Sequence, residues 1–209
     1  MSNARSRWVT WPWLAALLLF GAPCARTLPQ EPAAPGSERI ADRAALDPEF
    51  EAVRARLAPY ARDLGGQDVA AVARAVVDAS RAHALPPTLL LAVMEVESGF
   101  DPYAVSQKGA LGLMQILPST GIEVARRVGV PWRGPLTLFD PRANVRLGAA
   151  YLRELLDRYA SLPVALAAYN EGPGQIEALL RGGASFPAHY SERVLGAYWE
   201  RSASPPAGS

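Results

Sequence analysis

One cysteine and two histidines in 209 residues leave no zinc cluster and no internal disulfide. Charge of one sign is also missing: 21 basic and 20 acidic side chains give a net charge of +1, with no long block of either. Bulk nucleic-acid binding therefore has no support. No internal repeat and no alternating strand pattern of useful length occurs. No apolar run reaches the roughly 20 residues that span a bilayer comfortably. Any chemistry must come from carboxylates, hydroxyls and amides. What is abundant is apolar: half of the chain is hydrophobic and a fifth charged, a globular composition.

The N-terminus reads as an export signal over residues 1–25. Arg5 and Arg7 precede a short apolar stretch, Trp8 to Ala22, and small residues cluster around Ala22-Pro23-Cys24-Ala25. Cys24 adds a second route, lipidation of a new N-terminal cysteine, although Gly21-Ala22-Pro23 matches a lipoprotein signal poorly. Residues 26–46, rich in Pro, Ala, Gly and Glu, read as a flexible tether. The ordered domain is expected over 47–201 and a frayed tail over 202–209.

Within the domain the periodicity predicts helices. Phe50, Val53, Leu57 and Tyr60 recur at helical spacing after Asp47-Pro48. Asp68 caps a second helix running to about Ala84. Pro86-Pro87-Thr88 open a third, apolar nearly all round from Leu89 to Val96 and so expected to be buried. Residues 99–113, punctuated by glycines, suggest a loop or short hairpin. Further helices are expected from Pro118 to about Gly129, from Asp140-Pro141 to Tyr159, from Leu162 to Tyr169, from Gln175 to Leu180 and from His189 to Arg201. The fold class is mainly α, with at most a small β-hairpin.

MEVESGF, residues 94–100, places two glutamates two positions apart. Successive helical residues turn by about 100°, so Glu95 and Glu97 point to nearly opposite sides and cannot both face one bond. Glu97 stands where the helix gives way to Ser98-Gly99, beside apolar residues that would keep its carboxyl protonated, as a general acid requires. Taken alone, a glutamate at a helix end is more often a surface or capping group.

Three segments change that weighting. ESGFDP (97–102), GALGLMQILPST (109–120) and AAYNEGPG (167–174) follow in fixed order, with DPRANVRLGAAYLRELLDRY (140–159) between. Over about residues 66–200 the chain resembles the lysozyme-like domain of the soluble lytic transglycosylase (SLT) family, related to goose-type lysozymes. The resemblance implies cleavage of the β-1,4 bond between N-acetylmuramic acid (MurNAc) and N-acetylglucosamine (GlcNAc) in peptidoglycan, leaving a 1,6-anhydro end. It implies Glu97 as the single catalytic residue, acid and then base, with the substrate's acetamido group replacing a second carboxylate. It also implies that Ser106 bonds the acetamido group and that Met114 and Gln115 line the sugar groove, the Gln115 amide as donor and acceptor. Tyr169 is placed near the catalytic glutamate and Asn170 in support of the site. Ser98 holds the helix end. Neither metal nor cofactor is implied, and a monomer acting on glycan strands is expected, in the periplasm or cell envelope, with an unidentified envelope-assembly partner.

Two departures from the family pattern stand out. Many members carry a Glu-Thr-Arg run before a final tyrosine-containing helix, where this chain has Phe186-Pro187-Ala188-His189 before Tyr190. Conversely, Glu171 follows Asn170 where a small residue is common, and it is the carboxylate most able to approach Glu97. The alternatives are a hydrolytic muramidase and a non-catalytic peptidoglycan-binding module.

Overall fold

The computed structural model describes residues 47–203. The export signal, Cys24, the whole of the tether and the tail from residue 204 lie outside the described residues. Helices α1 (Pro48–Leu57), α2 (Val69–His83), α3 (Pro87–Ser98), α4 (Pro118–Val128), α5 (Pro141–Tyr159), α6 (Leu162–Glu171), α7 (Pro173–Arg181) and α8 (His189–Ala203) form the domain, with 3-10 turns at Ala58–Tyr60 and Pro135–Phe139. The mainly α expectation holds.

Local chemistry accounts for the boundaries. Asp47, Asp68 and Asp140 accept hydrogen bonds from Phe50 N, Ala70 N and Ala143 N, capping α1, α2 and α5. Proline at the first turn starts α3 and α4 without a side-chain cap. Gly99 and Gly129 end these two in the left-handed conformation, which lacks a Cβ penalty for glycine.

The buried helix is α3, whose residues from Leu89 to Met94 are all at most 2% exposed. It packs against α2 and α8, while α5 packs against α2 and α6. In place of regular strands, the 99–117 loop has two isolated antiparallel bridges, Val105 with Leu111 and Leu111 with Ile116.

Several boundaries move from those expected. Helix α3 keeps Ser98, α6 continues through Asn170 and Glu171, and α7 starts at Pro173 after a single glycine. The polar side chains of Asn170 and Glu171 do not stop α6; Gly172, at φ +91°, breaks it. Helix α8 runs to Ala203 rather than Arg201.

Candidate active site

The two glutamates diverge as the helical geometry requires. Glu95 is bound by the Arg201 guanidinium, with Nη2 and Nε at 2.5 and 3.0 Å from Oε2. Arg201 also lies over the rings of Tyr60 and Phe100, so this pair ties α8 to the end of α3. Glu97, on the other side, accepts a 2.5 Å hydrogen bond from the Tyr190 hydroxyl. Eleven residues of α8 separate these two contacts, about 16 Å of helix, so α8 crosses α3 and serves one glutamate with each end.

Burial pushes the Glu97 carboxyl up to about 7, against the Tyr190 hydrogen bond and the positive charge of Arg193, which both pull it down. Tyr190 and Tyr169 are raised well above the usual phenol range, first by burial and then by the charge of Glu97. Around neutral pH the carboxyl is thus a proton donor and acceptor flanked by neutral phenols.

Glu97 opens onto a groove of about 360 Å³ that it lines together with Ser106, Gln107, Lys108, Ala110, Gln115, Leu117, Tyr169 and Asn170. A further section of about 210 Å³ continues past Lys108, Gln115, Leu117, Tyr169 and Asn170 to Tyr151 and Glu171. Four of the five residues expected beside Glu97 therefore meet at one groove: Ser106, Gln115, Tyr169 and Asn170.

Met114 does not. Its side chain is fully buried, packed where a Cβ on Gly148 would come within 2.5 Å of its sulfur. Its contribution is main-chain: the amide donates to Asn144 Oδ1 at 2.7 Å and the carbonyl accepts from the Tyr169 hydroxyl at 2.8 Å. The large apolar side chain exposed on the groove wall is Leu117, 39% exposed, three residues later. The Met-Gln pair identified the loop, but not which apolar residue it turns outward.

Two further expectations are refined. Gln115 spends both amide protons on backbone carbonyls, Ala104 at 3.0 Å and Gly112 at 2.9 Å. Its Oε1 makes no hydrogen bond among the described residues, so it brings an acceptor to the groove rather than a donor and an acceptor. Tyr169 lies close to Glu97, but its hydroxyl is committed to Met114, and the phenol on Glu97 belongs to Tyr190. Tyr190 was missed because its signal in the sequence, a tyrosine opening the last helix, carries no distance to residue 97.

The loop itself is pinned from behind. Asn144, fully buried on α5, accepts from Met114 N and donates to the carbonyls of Leu111 and Leu138 at 2.9 and 2.8 Å. Gly112, at φ +75°, leaves no room for a Cβ, which would meet Leu138 O at 2.2 Å. The Ser98 hydroxyl reaches the Leu113 carbonyl at 2.8 Å, joining the end of α3 to the same loop. Ser106 Oγ accepts from Ala110 N at 3.0 Å. No group of three His, Cys, Asp or Glu among the described residues could hold a metal ion.

Glu171 lines the outer section, where Asn170 Nδ2 donates to it at 3.0 Å, and not the section containing Glu97.

Comparison with known proteins places this geometry. The membrane-bound lytic murein transglycosylases C of Salmonella arizonae and Cronobacter sakazakii are 41% identical over 113 residues and 40% over 112. Each alignment covers 48% of this chain and 31% of the relative, so the chain spans about a third of the length of these curated relatives. Among solved structures, an inactive mutant of lytic transglycosylase Slt from Pseudomonas aeruginosa superposes with a TM-score of 0.55 at 29% identity, covering 64% of this chain and 25% of that one. The 70 kDa soluble lytic transglycosylase of Escherichia coli gives a TM-score of 0.51 at 26% identity, covering 58% and 23%. The model of the family described as "Transglycosylase SLT domain" matches residues 74–187, more than half of the chain. By that match this chain belongs to the transglycosylase SLT domain family.

Proposed function

We propose that the protein is a peptidoglycan lytic transglycosylase, cleaving the MurNAc–GlcNAc β-1,4 bond with formation of 1,6-anhydroMurNAc. The observation that carries this is a single half-buried carboxyl, Glu97, raised to about 7 on the wall of a groove. The names of its relatives support the same reading.

In the first step the Glu97 carboxyl gives its proton to the bridging oxygen as the C1–O bond breaks, releasing GlcNAc with a free 4-hydroxyl. The 2-acetamido carbonyl of the muramyl ring supports the positive charge at C1, and Ser106, whose proton no described residue accepts, is placed to orient that group. In the second step the Glu97 carboxylate takes the proton from the C6 hydroxyl while O6 bonds to C1. The ring closes, Glu97 regains its proton, and no water is consumed. A poised value near 7 serves both halves, because the same group must release and retrieve a proton.

A muramidase with a separate carboxylate as the base for water would need that group beside Glu97. Glu171, the carboxylate with that potential, faces the outer section and is engaged with Asn170, which argues against this two-carboxylate route. A binding module would have no use for a carboxyl desolvated to this degree. The relatives described as membrane-bound, with the apolar N-terminal stretch and Cys24, support action in the cell envelope.

Product masses from purified glycan strands test the reaction. Fragments ending in the anhydro sugar weigh one water less than reducing ends. Reducing ends alone would make the enzyme a muramidase, and intact strands would make it a binding module.

A further inference from the structure

Three ionisable groups other than tyrosine line the two sections of the groove: Glu97, Lys108 and Glu171. Glu171 is engaged with Asn170, and Glu97 with Tyr190. Lys108 lines both sections, is the sole cation among the described residues lining them, and forms no hydrogen bond or ion pair among the described residues. Its main chain is nevertheless held firmly. Gly109 N donates to Ser106 O at 2.9 Å, Ser106 N to Ala110 O at 3.0 Å, and the Val105–Leu111 bridge closes the turn. A fixed turn thus presents an uncommitted ammonium along the whole groove.

We propose that Lys108 is a specificity residue that recognises a carboxylate on the muramyl branch of the glycan. This rests on the reading of the groove as a peptidoglycan site and adds to it what the groove selects. The sugar rings of such a strand are uncharged. Negative charge resides on the lactyl substituent of MurNAc, as a free carboxylate where the peptide has been removed, or on the carboxylates of the attached peptide. Ser106, Gln115 and Asn170 can hydrogen-bond neutral hydroxyls and amides, so they recognise both kinds of strand. Only the ammonium distinguishes a charged branch from a neutral one. A flexible stem with a compact charge also suits a carboxylate whose position varies among rotamers.

The test uses the full chain and two strand preparations, peptide-free and peptide-bearing, each with and without amidation of its carboxyls. Wild type is expected to show kcat/KM about fivefold higher on the carboxylate form, the size an exposed ion pair supports, mainly through KM and weakening with salt. Lys108→Arg retains the preference and Lys108→Ala loses it. A preference confined to peptide-free strands assigns the lactyl carboxylate, and one confined to peptide-bearing strands assigns the peptide. A wild-type preference that survives in Lys108→Ala, or no preference in either preparation, overturns the proposal. Absence of anhydro ends from every strand would instead overturn the lyase reading. The Lys108 ratio is then read from strand binding by fluorescence anisotropy.

Discussion

The Tyr190 hydroxyl donates to Glu97 Oε1 at 2.5 Å, joining the first turn of the last helix to the last turn of the buried one across 93 residues of sequence. The bond works against burial: desolvation raises the Glu97 pKa and the phenol lowers it. The value near 7 is therefore a compromise between a hydrophobic wall on one side and the Tyr190 donor and the Arg193 charge on the other, and it depends on how α8 crosses α3.

Replacing Glu97 by Gln removes the ionisable proton with little change of shape. Turnover on glycan strands is expected to fall by about 10²–10⁴-fold, the usual contribution of general acid–base catalysis, with strand binding retained. Glu95→Gln is expected to keep turnover within a few-fold and to cost about 1–2 kcal/mol, since the largely buried Arg201 keeps an acceptor but loses its charged partner. Equal losses of activity in the two variants would show that the wrong side of the helix was assigned.

The pH dependence has a defined sign. Glu97 moves from 4.5 to about 7 on folding, so the folded state holds its proton more tightly. Below about pH 4.5 both states are protonated and the site costs nothing. Stability falls as pH rises through the interval and levels off above 7, by about 3 kcal/mol in total at 1.36 kcal/mol per unit. Glu97→Gln should therefore melt higher than wild type at pH 8 and equal it near pH 4.5. Identical melting differences at both pH values would contradict the shift.

Tyr190→Phe removes the donor and leaves only the charge of Arg193 to oppose desolvation. The alkaline limb of kcat/KM, which reports loss of the Glu97 proton, is expected to move to higher pH, with stability changing by about 1 kcal/mol. A limb that stays in place, or moves down, would mean that the phenol does not act on Glu97.

Asn144→Ala breaks three buried hydrogen bonds that anchor the 111–115 loop. A loss of about 3 kcal/mol in denaturant unfolding is expected, with activity falling even where the variant remains folded. An effect under about 1 kcal/mol would show that the loop is held by other means.

Much of this architecture was legible from local chemistry. Asp47, Asp68 and Asp140 announce helix starts because their carboxylates satisfy free amides at the next residues. The all-round apolar run from Leu89 to Met94 announced a central helix, and it is one. Local chemistry places the end of α6 too early, at Tyr169, because the backbone continues through Asn170 and Glu171 despite their polar side chains. The groove role of Met114, implied by the family resemblance, does not hold either: the side chain fills the core, as a methionine taken alone more often does.

Alone, the sequence determined the helices, their order, and the divergence of Glu95 from Glu97, because each follows from interactions within about four residues or from the pitch of one helix. Only the tertiary structure decided which residues serve those carboxylates: Arg201 for one and Tyr190 for the other. It also decided that Leu117, not Met114, faces the groove. These outcomes depend on how α8 and the 99–117 loop pack against α3, and packing is set by volume and burial shared among distant segments, which no local pattern encodes.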